Sequence, residues 1–270
     1  MRHGTDRLAR QPADESASLQ NPAVSCIVSL STRTCNFRIA FGESDRAVWR
    51  GMAPTVVAFV PMKMTNERVP NKHLLPLAGR PLLVHVFESL LRIDGLAAIY
   101  AWTSDASARQ YLPEGVRFLK RDPRFDGREV KGLDLFDGFA AAVAADLYLL
   151  AHATAPFLRP ATMRRGLDGV LSGEHDSALS VRRIQTYCWY DGRPVNYQPT
   201  DMARTQDLRP VFVETSGFYL YSRDDIRRRH RRIGDRPLFV EVGEWEAIDI
   251  DWPEDYEMAR RFEDLLEQRA

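Results

Sequence analysis

Three cations, Lys63, Arg68 and Lys72, stand within ten residues, in a polar loop that begins where the apolar run TVVAFVP ends. A triphosphate needs its negative charge neutralised before a nucleophile can approach the α-phosphorus, and clustered cations supply that. Strand, basic loop, helix is also how an α/β protein turns backbone N–H groups toward a phosphate. The loop contains neither GxxxxGK[ST] nor GxGxxG, so it is neither a Walker loop nor a dinucleotide fingerprint. On charge alone, a solvated basic loop is the favoured reading.

A second group is Ile248-Asp249-Ile250-Asp251, with Pro253, Glu254 and Asp255 behind it. Read as a strand, the alternation puts Asp249 and Asp251 on one face. Two carboxylates at a strand's carboxyl end suit Mg²⁺, a hard cation that takes oxygen ligands and substrate phosphates. The competing reading makes Asp251 a helix N-cap, with Glu254 completing a capping box. Both readings stay open.

A third group is Arg204, Gln206 and Asp207, just before a strand carrying Glu214, Ser216 and Gly217, with Arg182 and Arg183 near another strand end. Arginine suits bidentate recognition of a carboxylate or phosphate, although any one of these is more simply a surface charge. His152 ends a buried strand on the crevice side, where it has the reach to read a base edge; a structural hydrogen bond is the simpler role. No GxSxG is present and Cys188 has no motif around it, which argues against serine and cysteine nucleophiles.

The elements that must position these groups follow from periodicity. TVVAFVP reads as a strand covered on both faces. In RPLLVHVFESLLRI, Leu82, Leu83, Val86, Phe87, Leu90 and Leu91 recur at helical spacing, Pro81 suits the first turn and Gly95 marks the end. Next come a strand LAAIYAW, a short helix SDASARQYL capped by Ser104 or Asp105, a strand VRFLK and a helix KGLDLFDGFAAAVAA. DLYLLAHAT is a strand, and Pro160 opens a helix through about Leu171. This alternation is the signature of an α/β fold with a doubly wound, mostly parallel, Rossmann-like sheet. Ligands of such sheets bind at the carboxyl ends of the strands, which places the loops after Val60, Trp102, Lys120 and Leu150 around one crevice.

The second half is less regular. DSALSVRR, VFVETSGFYLYS, PLFVEV and WEAIDID read as strands, DDIRRRHRRI as a short basic helix, and PEDYEMARRFEDLLEQR as one closing helix. In that last helix Tyr256, Met258, Phe262, Leu265 and Leu266 lie largely on one face. A turn-rich excursion over about 184–206 contains Asp191-Gly192, a hairpin signal, and is suited to packing on a partner subunit.

Composition bounds the possibilities. Lys+Arg and Asp+Glu both total 37, and this zero net charge argues against a protein organised around nucleic-acid phosphates. Cys26, Cys35 and Cys188 have no zinc spacing and read as free thiols of a reducing cytoplasm. No apolar run approaches the ~20 residues that span a bilayer, and no secretory signal is visible, so no membrane partner and a cytoplasmic location are expected. Residues 1–24 are polar without a sustained period, and SCIVSLSTRTCNFRIAF alternates only weakly, as an isolated strand or hairpin would; residues 1–52 are expected to be a disordered tail or a start-site artefact. The working domain is expected over 53–270, beginning near Met52.

Taken together, the motifs resemble one family. PMKMTNERVPNKHLLPLAGRPLL resembles the opening signature of the acylneuraminate cytidylyltransferases (CMP-sialic acid synthetases), P-A-R-x-G-S-K-x-x-P-x-K-N-x-x-x-L-x-G-x-P-L, and the similar loop of the Kdo cytidylyltransferases. TSDA, KRDPRF, LLAHATAPFLRP, RTQDLRPVFVETSGFYLY and IDIDWPEDYEMA continue the likeness in the same order, from about Val56 to the C-terminus.

The resemblance implies a nucleotidyltransferase fold. It also implies transfer of CMP from CTP to the anomeric hydroxyl of a nonulosonic, nine-carbon sugar acid, with Mg²⁺ (or Mn²⁺) and release of pyrophosphate. Lys63 falls on the family's phosphate-binding Arg, Lys72 on its second loop Lys, and Arg68 on a basic position of the Kdo-type loop. Asn66 replaces the loop Ser, Asp105 lies in TSDA, Arg121 in KRDPRF, and His152 stands where sialic-type enzymes carry a Gln; these join the nucleotide-binding candidates. Asp249 and Asp251 fall on the metal carboxylates, and Lys63, Lys72 and Asp251 are the catalytic candidates. Arg182, Arg204, Gln206, Ser216 and Phe218 are the sugar-binding candidates, and residues 184–206 correspond to the family's dimerisation element, implying a homodimer.

The departures mark a divergent branch. Lys63 replaces Arg, Met64, Thr65 and Asn66 replace the Gly-Gly-Ser, and Glu67 and His73 replace Lys and Asn. Lysine lacks the guanidinium fork, so bidentate phosphate contact is lost at the first position. A Kdo-type enzyme, another sugar nucleotidyltransferase and a non-catalytic nucleotide-binding protein are the alternatives.

Overall fold

Residues 53–267 are described by a computed structural model; the readings for residues 1–52 and for the last residues of the chain lie outside them. The central sheet has seven strands: β1 (Val56–Met62), β2 (Leu96–Thr103), β3 (Val116–Lys120), β4 (Leu147–Ala151), β5 (Ser177–Ile184), β6 (Val211–Ser222) and β7 (Pro237–Glu241). Their order across the sheet is β7-β5-β6-β4-β1-β2-β3. β6 runs antiparallel to both of its neighbours and the other pairings are parallel. The mostly parallel, doubly wound sheet expected from the alternation is therefore present.

Helices cover both faces, as fully apolar strands require. On one face α1 (Leu82–Leu91) and α3 (Pro160–Leu171) bury Leu83, Val86, Phe87, Leu90, Met163, Leu167 and Val170 against Val56, Ala58, Val60 and Met62 of β1. On the other, α2 (Gly132–Ala142) and α4 (Arg223–Arg227) pack Phe136, Phe139 and Ile226 on Val57, Phe59, Tyr148 and Tyr221. Each of these large side chains contributes about 1.5–3 kcal/mol of burial, an upper figure because denatured chains already bury some surface.

A third, smaller cluster matters most for the site. Leu77, Leu82, Phe157, Ile250, Ala259 and Leu266 are buried together. Leu77 belongs to a short hairpin (Pro76–Pro81) whose turn residues, Ala78 and Gly79, both have positive φ (46° and 70°), the two-residue geometry of tight hairpins. Ala259 belongs to α5 (Pro253–Arg261). This cluster holds the basic loop after β1 against the Ile248–Asp251 segment, which lies far away in sequence.

Three local expectations are corrected. Ile248–Asp251 is not a strand: it is an extended loop, anchored by buried Ile250, whose N–H donates to Thr154 O at 2.8 Å. The closing helix is broken into α5 and α6 (Asp264–Glu267), and Met258 is exposed, not on the buried face. The basic helix is only five residues long, Arg223–Arg227; the backbone leaves helical geometry at His230, where φ is 52°, and Arg229 and Arg231 both pair with Asp235. The Asp191-Gly192 hairpin is present, with φ of 48° and 69°.

Candidate active site

β1 delivers the basic loop at its carboxyl end, next to the strand-order reversal where β1 pairs with β2 on one side and β4 on the other. Lys72 opens a single 3-10 turn (Lys72–Leu74), and its side chain is only 9% exposed. Its ammonium donates to Asp251 Oδ1 at 2.9 Å. Arg68, half-exposed, reaches the same oxygen at 3.1 Å, and its guanidinium lies 5.0 Å from the centre of the Trp252 ring. One carboxylate therefore receives two loop cations, and the ring of the next residue supports one of them.

The capping alternative for Asp251 is resolved. Asp255 performs that role, accepting from the backbone N–H groups of Asp251 (3.0 Å) and Trp252 (2.8 Å), so the Asp251 side chain is free for the cations. Burial pushes the Asp251 carboxyl up, but the hydrogen bond and charge of Lys72, with Arg68, outweigh it and hold its pKa below the usual value. Asp249 goes the other way. Burial, reinforced by the charge of Asp251, raises its pKa, with a Thr154 hydrogen bond opposing.

Asp249 Oδ1 is buried without a hydrogen-bond partner. A buried, unpaired carboxylate oxygen beside a second carboxylate fits a hard divalent cation, which needs oxygen donors. No third His, Cys, Asp or Glu gathers with them among the described residues. A cation here would draw its remaining ligands from phosphate and water.

Around this pair the sheet edge is buried and polar. His152, following β4, donates Nδ1–H to Ser216 O, and its backbone N–H donates to Gly217 O at 3.1 Å. A bulge in β6 between Glu214 and Tyr219 makes this possible, with Ser216 at φ 56° turning its carbonyl toward the ring. Burial lowers the His152 pKa, against the raising influence of the Ser216 carbonyl and Asp249. His73 is also buried; burial first, then the charge of Lys72, brings its pKa to about 4. Both imidazoles are neutral at pH 7.

The remaining candidates separate. Lys63 begins the loop, and its carbonyl accepts from Asn66 Nδ2 at 3.0 Å; Asn66 Oδ1 is buried and unpartnered. Arg121 is buried at 2% exposure: it donates to Met62 O at 2.8 Å, pairs with Asp126 and lies 5.4 Å from the Trp102 ring centre. That ties the ends of β1 and β3 together. Asp105 caps the 3-10 turn Ala106–Tyr111 through Ser107 N, as expected for that helix start.

The sugar-binding candidates are not gathered. Arg182 is half-exposed and faces Glu244 at 3.2 Å, along a cleft that Asp249 also lines. Arg204 pairs with its neighbour Asp207, and Gln206 is exposed; among the described residues neither bonds to the Lys72–Asp251 cluster. Phe218 is corrected: its ring is fully buried in the core, so close to Gly166 that an added Cβ there would meet it at 2.8 Å. It is not a ligand contact.

Sequence reasoning missed Trp252, Thr154 and Arg232. Arg232 lies over the Tyr219 ring at 4.3 Å and pairs with Glu214; burial, then the hydrogen bond to Glu214, pushes the Tyr219 pKa up to about 12, with the Arg232 charge opposing. It also places a positive charge near His152. No local signal distinguishes Arg232 within its arginine-rich stretch.

Paired carboxylates and a cationic loop meet at the carboxyl end of β1, beside the strand-order reversal of an α/β sheet. The chain belongs to the cytidylyltransferase family, whose model matches residues 57–269. It is 23% identical over 220 residues to the N-acylneuraminate cytidylyltransferase of Oncorhynchus mykiss, covering 77% of this chain and 51% of that one. It is 28% identical over 130 residues to the 3-deoxy-manno-octulosonate cytidylyltransferase of Escherichia coli, covering 47% and 50%. The chain spans about half the length of the curated relatives it matches. A solved CMP:2-keto-3-deoxy-manno-octonic acid synthetase complexed with CTP is similar in fold, with TM-score 0.58, 19% identity, and coverage of 80% of this chain and 100% of that one. No helix among the described residues is long and apolar enough to cross a membrane.

Proposed function

We propose that this chain transfers CMP from CTP to the anomeric hydroxyl of a nonulosonic sugar acid, releasing pyrophosphate, in the cytoplasm. The observation that carries the reading is the convergence of Lys72 and Arg68 on Asp251, with Oδ1 of Asp249 buried and unpartnered beside it. Family membership supports the reaction class, and the N-acylneuraminate and 3-deoxy-manno-octulosonate relatives support a sugar acid as acceptor.

In this reading Lys63, Arg68 and Lys72 neutralise the triphosphate, Lys72 and Arg68 exchanging Asp251 for phosphate oxygens. Lys63 and Lys72 lower the charge barrier at the α-phosphorus, and Asn66 and the loop N–H groups orient the phosphates. Asp249 and Asp251 would hold Mg²⁺, or Mn²⁺, which when bound supplies charge stabilisation on the phosphates. Neutral His152, fixed by Ser216, presents its second ring nitrogen to the nucleotide. Arg182 offers the sugar carboxylate a cation. Attack of the anomeric hydroxyl oxygen forms the new bond to the α-phosphorus as the bond to pyrophosphate breaks, and the hydroxyl proton passes to solvent.

The excursion is assigned to self-association: Trp189, Tyr190, Val195 and Met202 are exposed there, an apolar surface suited to a second copy. Light scattering on a Trp189→Glu, Tyr190→Glu variant tests it, with a monomer expected. The main test is pyrophosphate release from CTP and Mg²⁺ with a panel of sialic, legionaminic, pseudaminic and Kdo acids. Release with a nonulosonic acid supports the proposal; release only with Kdo, or CTP binding without release, replaces it.

A further inference from the structure

The stretch from Arg223 to Arg236 carries seven arginines. Five of them, Arg227, Arg228, Arg229, Arg231 and Arg232, pair with carboxylates of Asp137, Asp224, Asp235 and Glu214. The other two, Arg223 and Arg236, form no ion pair among the described residues, and both line one cavity of about 350 Å³. That volume lies within the usual range of a small-molecule site.

The cavity is at the end of the sheet opposite the basic loop. Asp146 precedes β4, His175 and Asp176 precede β5, Arg236 precedes β7, and Arg223 follows the antiparallel strand β6. In the β4–β6 ladder Leu147 stands across from Ser222 at the cavity, while Ala151 and Phe218 stand at the end that leads to His152. Leu147 and Val170, both buried, give the cavity an apolar side.

The hydrogen bonds around it are one-sided. Asp176 Oδ2 accepts from the N–H groups of Asp235 (2.8 Å) and Arg236 (2.9 Å), and its Oδ1 accepts from the Ser177 hydroxyl at 3.0 Å. Asp224 pairs with Arg228, and Asp146 accepts from Thr55 N at 2.8 Å. The nearby carboxylates therefore all have partners. Arg223, whose N–H is fixed on Asp146 O at 3.0 Å, uses Nη1 on the Tyr148 hydroxyl at 3.3 Å. Arg236 uses Nη1 on Glu174 O at 3.2 Å. Among the described residues the Nε–Nη2 edge of each guanidinium has no acceptor. Unfilled donors beside acceptors that are already filled describe a site for an anion.

We infer that this cavity binds a small organic phosphate monoester, with Arg223 and Arg236 on the phosphate and Leu147 and Val170 against the body. Two guanidinium edges present four N–H donors, which the three terminal oxygens of a phosphate monoester use more fully than the two oxygens of a carboxylate. The apolar side favours an ester with a hydrophobic body over inorganic phosphate. The ligand does not compete for Lys72 or Arg68, which stand at the other end of the sheet.

Calorimetry of the full chain with phenyl phosphate tests the inference, with inorganic phosphate and benzoate as comparisons. Phenyl phosphate is expected to bind more tightly than either. Arg223→Gln and Arg236→Gln are each expected to weaken it by roughly ten- to hundredfold, the range for losing a hydrogen bond to a charged group, while Lys72→Met leaves that affinity unchanged. Crystals of the wild-type chain soaked with phenyl phosphate provide a readout that does not depend on the variants folding, with the phosphorus expected between the two guanidinium groups. Binding lost in Lys72→Met but kept in both arginine variants, tighter binding of benzoate, or phosphate density at the basic loop alone overturns the inference. Absence of phenyl phosphate binding to the wild-type chain overturns it as well.

Discussion

Lys72 and Asp251 are 179 residues apart in the chain, yet their side chains meet at 2.9 Å at the carboxyl edge of the sheet. One is a candidate phosphate ligand and the other a candidate metal ligand, so each neutralises the other before any ligand arrives. A triphosphate arriving alone would take the cations and leave Asp251 bare against its own negative charge. A divalent cation arriving alone would take Asp251 and leave Lys72 and Arg68 facing it.

Binding of CTP and of the divalent cation is therefore expected to be strongly coupled. In calorimetry, Mg²⁺ should tighten CTP binding to the wild-type chain well beyond its effect on free CTP. Asp251→Asn removes the internal competitor, so metal-free CTP should bind more tightly to that variant while the gain from Mg²⁺ shrinks. Turnover should fall by orders of magnitude in Asp251→Asn and in Lys72→Met, with thermal unfolding still cooperative. Equal Mg²⁺ enhancement in wild type and Asp251→Asn would remove both carboxylate and cation assignments.

Acid stability gives a second test. Burial first, then the charges of Lys72, Arg121 and His152, lowers the His73 pKa from its ordinary 6.5 to about 4. Between these values the unfolded chain binds a proton that the folded chain does not, so stability falls as pH drops from about 6.5 to 4. The contribution lost is on the order of 2–4 kcal/mol for His73, with His152 acting in the same direction. Urea unfolding at pH 7 and pH 5 should show a smaller loss for His73→Gln than for wild type. Parallel losses would mean that another group sets the acid limb.

How far the sequence discloses all this depends on range. Leu83, Val86, Phe87 and Leu90 announce α1 because the helical period is local, and Val56–Val60 announce β1 because both faces are covered. Ile-Asp-Ile-Asp misleads for the same reason: alternation signals an extended chain, but whether it joins a sheet depends on a neighbour that the pattern does not contain. Here Ile250 hydrogen-bonds Thr154 in place of a ladder partner. The Lys72–Asp251 contact depends on the Leu77–Ile250–Ala259 cluster, which no local spacing encodes. Phe218 and Arg204 show the complementary limit: a motif position identifies a place in the chain, and the surroundings decide whether the side chain faces a ligand, the core or water.

Glu246 supplies a prediction about positioning. It is 3% exposed and satisfies Arg159 N and Thr162 Oγ1 while pairing with the Arg159 guanidinium at 2.7 Å. Glu246→Ala leaves those donors without their acceptor and should cost about 1–3 kcal/mol in urea unfolding. Because the same loop carries Asp249, the KM for the acceptor should rise in Glu246→Gln, which keeps an oxygen acceptor and most of the stability. A purely structural role would lower stability and leave that KM unchanged.

Arg121 allows the strands' own chemistry to be separated from the ligand's. Its guanidinium is held by Met62 O and Asp126 and lies near the Trp102 ring, so it joins the ends of β1 and β3 directly beneath the basic loop. Its Nε is buried and unpartnered. If its main task is to clamp the strands, Arg121→Gln should lower unfolding free energy by about 3–5 kcal/mol, since Asp126 loses its buried partner. CTP affinity, measured at a temperature where the variant is fully folded, should then fall less than in Lys72→Met. The reverse order, a near-native unfolding curve with CTP binding abolished, would make Arg121 a direct nucleotide ligand and would shift the clamping role to the Ser104–Asp126 hydrogen bond alone.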